Sequence, residues 1–242
     1  MKIGYFSISG YQSNNYGIFV TGKGTYDPAE ADVTSYVVPG RNGEIKLFNH
    51  RYKNIKVTYP CFIPGNFEAQ AQTIRNWLTM GWAQEGYATI SDNYDTDHYR
   101  LGIVESMRFD PVNQNSAANF TVSINCKPQR FLNSGKTSTS ITSGYSSNNQ
   151  TRFDAKPVIQ FKNPTSTASI TFTHSLGTFT MNATRAYTGS VTIDCDTQNI
   201  SGIGINLNDL FTGDFPVLMS GITTITFSGL SNVSIIPRWW EL

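Results

Sequence analysis

The feature that most restricts the fold of this chain is a period of two in its apolar residues. In "NFTVSINCKP", Phe120, Val122, Ile124 and Cys126 alternate with Thr121, Ser123, Asn125 and Lys127. In "YKNIKVTYP", Ile55, Val57 and Tyr59 alternate with Asn54, Lys56 and Thr58, and "GSVTIDCDT" sets Val191, Ile193 and Cys195 on one side. Successive side chains of a strand point to opposite faces, so such runs are strands with one face buried. The chain reads as mainly β. One segment has another period: "NFEAQAQTIRNWLTMG" places Phe67, Ala71, Ile74, Trp77 and Leu78 at helical spacing. Asn66 suits an N-cap, Glu68 the positive end of the helix and Gly81 the C′ position. One amphipathic helix near residues 66–80 is therefore expected on a sheet face.

The texture changes at Asn133. "NSGKTSTSITSGYSSNNQTR" is rich in Ser, Thr, Asn and Gly, which reads as a connection with at most a short strand inside it. Strand-like runs resume at "KPVIQF" and continue to the last residues. At 242 residues the chain is long enough for two domains with real cores. We place them at 1–132, β with one helix, and 133–242, all β. No internal repeat is evident.

Charge narrows the function classes. The net charge is +1, with no dense Lys/Arg run, which argues against nucleic-acid binding. Charged residues make up 14% of the chain, against about 25% in an ordinary domain. Two readings fit: an all-β protein with neutral polar turns, or a surface largely covered by neighbours, since charge is depleted at interface cores. The opening "MKIGYFSISG" carries one lysine and no apolar run. No secretory signal and no membrane span are expected, and the chain reads as soluble and made in a cytoplasm. Cys61, Cys126 and Cys195 are far apart, odd in number and form no CxxC pair, so buried thiols are expected rather than a disulfide or metal framework.

Candidate chemistry is sparse. "SDNYDTDHYR" gathers Asp92, Asp95, Asp97 and His98, but lacks the glycine and distal glutamate of a calcium loop; a hairpin turn capped by Asx residues is the simpler reading. His50, His98 and His174 are scattered, and no HExxH, GxSxG or glycine-rich phosphate loop occurs. Asp194 and Asp196 share one strand, and we read them as a solvated face rather than a glycosidase pair. The Asn-x-Ser/Thr triplets reflect composition alone without a secretory route. Tyr87, Tyr94, Tyr145, Phe211 and Phe215 are the aromatics that could stack on sugar if exposed. No catalytic residue, metal or cofactor is expected.

Several strings together resemble one family, the distal tail (Dit) proteins of siphophages, especially those of Gram-positive hosts. "PGRNGE", with Arg41, resembles the family's early Arg-x-Gly turn. "IRNWL", with Trp77, followed by Gly81, resembles its helix. "DNYDTDHYRLG" resembles its Asp-x-Tyr-Asp hairpin, with Asp95 leading to Tyr99, Arg100, Leu101 and Gly102. "FTVSINCKPQRFL" is the most specific piece, with Cys126, Pro128, Gln129, Arg130 and Phe131 closing the first domain. "KPVIQF", "IDCDT", "GDFPVL" and "PRWWEL" match in the second. The resemblance covers most of the chain, and the order and spacing of the strings make it specific.

The resemblance implies a β-sandwich-like first domain that closes six copies into a ring, single or as two stacked rings, at the distal end of the phage tail. It implies a galectin-like, jelly-roll second sandwich that projects outward. The partners would be the major tail tube protein on one side, the tail-tip hub protein on the other, and receptor-binding or other baseplate proteins at the periphery. DNA would pass through the channel without specific binding, and no membrane is involved. The chain has no room for the inserted carbohydrate-binding modules that some members carry. A carbohydrate-binding sandwich acting in adsorption to the host surface is the alternative. Arg41, Trp77, Asp95, Arg100, Cys126, Arg130, Arg238, Trp239 and Trp240 are the residues singled out, all in structural roles. "VSIIPRWWEL" is expected to form the last strand, with Val233 and Ile235 inward and the two indoles closing the domain rather than docking a subunit.

Overall fold

The computed structural model describes residues 4–22, 27–79, 86–114 and 116–242. They divide into two compact units between Arg130 and Phe131, two residues before the expected boundary. The Gly81 expected to cap the helix lies outside the described residues.

The first unit contains β1 (Phe6–Ile8), β2 (Tyr11–Gln12), β3 (Phe19–Val20), β4 (Ala31–Tyr36), β5 (Ile45–Tyr52), β6 (Ile55–Ile63), α1 (Phe67–Thr79), β7 (Ala88–Asp92), β8 (His98–Val112) and β9 (Ala117–Cys126). Seven of these strands form one sheet in the order β2-β1-β7-β8-β9-β6-β3. The resolved pairings are antiparallel. A bridge between Gly4 and Val20 brings the two ends of this sheet together, so it rolls around its inner face. The alternation read from sequence fixes that face. Phe120, Val122, Ile124 and Cys126 are buried with Val57, Tyr59 and Cys61 opposite them.

Helix α1 covers part of this core with Phe67, Ala71, Ile74, Trp77 and Leu78, the five residues of the expected stripe. Trp77 stacks on Tyr16 at 4.3 Å and on Phe6 at 5.8 Å. Asn66 enters the helix in the left-handed region (φ 55) rather than the extended conformation usual for an N-cap, and its carbonyl accepts the N–H of Gln70. The Phe67 N–H goes to the Ser116 carbonyl, which satisfies one of the donors a helix start leaves open. Gly102 on β8 has no room for a side chain, since a Cβ there would lie 2.7 Å from Cys126 Sγ.

The second unit begins with β10 (Arg130–Leu132), which straddles the division, then β11 (Thr139–Ser140), β12 (Tyr145–Asn149), β13 (Val158–Lys162), β14 (Ser169–His174), β15 (Gly177–Ala183), β16 (Ser190–Asp194), β17 (Asn199–Gly202), β18 (Ile205–Asn206), β19 (Phe211–Gly213), β20 (Gly221–Ser228), β21 (Ser231–Ile236) and β22 (Trp240–Glu241). Two sheets, β11-β21-β13-β16-β17-β18 and β12-β20-β14-β15-β19, enclose one core. Ile159, Phe161, Val191, Ile193, Val233 and Ile235 come from the first, and Ile170, Phe172, Met181, Phe211 and Ile225 from the second. This is a β-sandwich, the arrangement by which two half-apolar sheets bury their faces.

Candidate functional site

Strands β4 and β5 stand apart from the core of their own unit. Among the described residues they pair only with each other, as a two-stranded sheet, and none of residues 31–52 is buried. Paired residues share a face, so Thr34–Leu47 and Tyr36–Ile45 line one side while Val33–Phe48 and Ser35–Lys46 line the other. Both sides are rich in large apolar groups. Tyr36 is 53% exposed, Leu47 55% and Val37 77%. Local contacts link the two strands of the ribbon. Phe48 meets His50 at 5.3 Å and Tyr52 at 6.1 Å, and Arg51 pairs with Asp32 at 2.5 Å. That bond from Arg51 holds the Asp32 carboxyl below its ordinary value. Lys46 pairs with Glu44 next to the tip. At the tip, "PGRNGE" turns through Gly40 and Gly43, both with positive φ, and Arg41 lies there, exposed to solvent.

An isolated hairpin is marginally stable in water, because two strands without a covering layer leave their apolar groups wet. This ribbon carries apolar groups on two opposite faces, and among the described residues none of those groups is buried. That is the composition of a strand pair inserted between other surfaces. The sequence reading singled out Arg41 and missed the ribbon. The signal was present in "VTSYVVPG" and "IKLFNH", two apolar-rich strands flanking a turn whose pattern defines no polar side.

The other singled-out residues fall into three places. Trp77 and Cys126 lie in the first core, where burial pushes the Cys126 thiol up to about 12; Cys61 and Cys195 are likewise buried and pushed to about 12. Asp95, Arg130 and His98 form a cluster at one end of the first unit. Arg130 contacts Asp95 Oδ2 at 3.0 Å, and His98 Nδ1 lies 2.7 Å from Asp95 Oδ1. Asp92 caps the turn before them by accepting the N–H groups of Tyr94 and Asp95, and it also takes the Tyr59 hydroxyl at 2.7 Å. Burial and the neighbouring Asp92 raise the Tyr59 phenol well above its usual value. Arg100 is half-buried, which lowers its affinity for a proton. Among the described residues no group of His, Cys, Asp and Glu could hold a metal ion.

Arg238, Trp239 and Trp240 lie in the second unit. Arg238 donates to both oxygens of Asp194, at 2.7 and 2.8 Å. Asp194 is therefore a salt-bridge partner, which corrects its reading as part of a solvated face; Asp196 pairs with Lys156. The Trp239 main chain accepts the Leu132 N–H and its side chain packs against Gly135. Trp240 stacks on Phe153 at 4.3 Å and donates its indole N–H to the Asp154 carbonyl. Both indoles pack against the second core. Of the aromatics considered for sugar stacking, Phe211 is core, Tyr145 and Phe215 are packed against it, and Tyr87 and Tyr94 are exposed.

No protein-family model matches the chain, and none of the curated proteins matches it. Solved structures do. The SPP1 Dit protein (gp 19.1), described as a paradigm of the hub adsorption apparatus in phages that infect Gram-positive hosts, aligns over 100% of both chains with a TM-score of 0.76 and 10% identity. Chains of the phage P2 baseplate in its activated conformation align with a TM-score of 0.58. The structure with Ca covers 97% of both chains at 9% identity, and the structure with Sr covers 96% of both at 8%. At such identities the likeness is one of fold, and it extends over both units.

Proposed function

We propose, from the fold it shares with distal tail and baseplate chains, that this protein is a structural part of a siphophage tail tip, without catalytic activity. Six copies would close a ring at the distal end of the tail, between the tube and the tip hub, with the second units available to receptor-binding or other baseplate proteins. The observation that carries this reading is the unsupported ribbon of residues 31–52. Closed symmetric rings arise when one surface of a subunit fits a different surface on the next. A protruding strand pair with two apolar faces supplies such a surface and removes the exposed groups from water on closure. The near-neutral charge suits a lumen that DNA crosses without being held, since clustered Lys/Arg would retain phosphates.

Light scattering coupled to size exclusion tests it directly. The purified chain is expected at six times its 26.8 kDa mass, or twelve times if rings stack. The double variant Tyr36→Asp, Leu47→Asp is expected as a folded monomer, because two carboxylates at an interface core would be desolvated without partners. A wild-type chain that stays monomeric at high concentration would overturn the proposal.

A further inference from the structure

The sheet β12-β20-β14-β15-β19 contains no Asp, Glu, Lys or Arg on any of its strands. Its inner face is core. Its outer face is an ordered array of hydroxyls. Thr224, Thr173 and Thr178 stand side by side on β20, β14 and β15, and the next rung is Thr226, Thr171 and Thr180. Ser228 and Ser169 continue it, their hydroxyls 3.1 Å apart. The pairings that build these rungs carry no bulge, so hydroxyls repeat at about 4.8 Å across strands and about 6.8 Å along them. None of these residues is buried.

We infer that this face binds an uncharged polysaccharide. A hydroxyl offers one donor and two acceptor sites, and Thr171 and Thr180 spend only part of theirs on each other, at 3.2 Å. The remaining capacity matches a ligand that is itself a chain of hydroxyls, with the threonine methyl groups meeting the C–H faces of the sugar rings. A polyanion finds no fixed positive charge here, because no Lys or Arg lies on any strand of the sheet. The one histidine, His174 at the end of β14, has both ring nitrogens bonded to backbone, at the Ser220 carbonyl and the Leu176 N–H. A protein partner is disfavoured by composition. Interface cores favour Tyr, Trp, Phe, Met and Arg and are depleted in Ser, and binding hot spots are poor in Ser and Thr. The one large apolar group on the face, Ile222, stands at its end. Each face binds weakly, since it lacks a stacking aromatic. Avidity comes from several copies held together and so rests on the ring proposed above, whereas the contact itself does not.

The test uses the full chain labelled at threonine methyl groups, titrated with dextran and laminarin oligosaccharides, with heparin as the charged control. Shifts at Thr171, Thr173, Thr224 and Thr226 with a neutral sugar and none with heparin support the inference. The triple variant Thr171→Val, Thr173→Val, Thr224→Val keeps the side-chain shape and removes three hydroxyls. It should bind roughly tenfold more weakly or worse, with an unchanged melting temperature and an unchanged mass by light scattering. No shift with any neutral sugar, shifts confined to other residues, or binding that survives the valine variant would overturn it. So would dissociation of the assembled protein by Thr224→Lys, which would make the face a protein contact. The ribbon variant Tyr36→Asp, Leu47→Asp separates the two proposals, since as a monomer it should keep the per-chain shifts and lose only the avidity for polymer.

Discussion

Arg238 lays its guanidinium along the carboxylate of Asp194, two parallel bonds joining residues 44 positions apart on the second unit. Arg238 holds this pose with φ 60, a left-handed backbone that a residue bearing a Cβ adopts only at a cost of about 1–2 kcal/mol. Its N–H to the Gly135 carbonyl and the bidentate pair offset that cost. Asp194→Asn should therefore destabilise the unit by about 1–3 kcal/mol in urea unfolding, leaving a half-buried cation with one good acceptor fewer.

The same pair sets a pH dependence. Burial alone would raise the Asp194 carboxyl; the bonds from Arg238, with the N–H groups of Thr197 and Asp196, outweigh it and lower the group. A carboxylate lowered in the folded state stabilises above its unfolded pKa and loses that contribution as pH falls through the folded value. The gap in melting temperature between wild type and Asp194→Asn should be constant from neutral pH down to about 5 and shrink below about 4. A gap that persists undiminished at pH 2 would contradict this assignment.

The tail itself should be worth more than its length suggests. Trp240→Ala removes the stack on Phe153 and leaves the Asp154 carbonyl without its indole donor. A loss of about 2–4 kcal/mol is expected, somewhat below a full core truncation because the ring is only half-buried. Removing residues 238–242 should exceed it. Unchanged thermal unfolding of the truncated chain would refute closure of the unit by its own terminus.

The three thiols offer a clean probe of the cores. With burial holding each at about 12, a disulfide reagent at pH 8 should label none of Cys61, Cys126 and Cys195 in the native protein and all three after denaturation. Gly102→Val should expose Cys126 to labelling, since its Cβ would sit 2.7 Å from that sulfur and 2.8 Å from Ile124 Cγ2 and force the strands apart, at about 1–3 kcal/mol.

What the sequence made legible was whatever lies within a few residues. Alternation in β6, β9 and β16 identified the inner faces, because a strand displays its burial pattern locally. The stripe of α1 was equally readable. The failures are non-local. Phe211 could be mistaken for an exposed ring because nothing near it in sequence reveals that it meets Phe161 across the sandwich, 5.5 Å away. Asp194 looked solvated because its partner is far along the chain. The ribbon escaped notice for the opposite reason. Its residues have the composition of buried strands, and only the tertiary arrangement reveals that none of them is buried among the described residues. Asn66 shows a third kind of failure, in which the residue type was right for a helix start but the backbone reached it by another conformation.

The ribbon of residues 31–52 also limits how this protein can wait. A solitary copy carries an adhesive flap wet on two sides, with two strand edges open to any chain that passes. Newly made copies that meet correct neighbours quickly would hide it; copies that linger at high concentration would glue to one another in the wrong register. Where ring closure lags behind synthesis, insoluble material should thus accumulate in proportion to the dwell time of the lone subunit, while copies that close promptly stay in solution, and timing of synthesis becomes part of what keeps the protein usable.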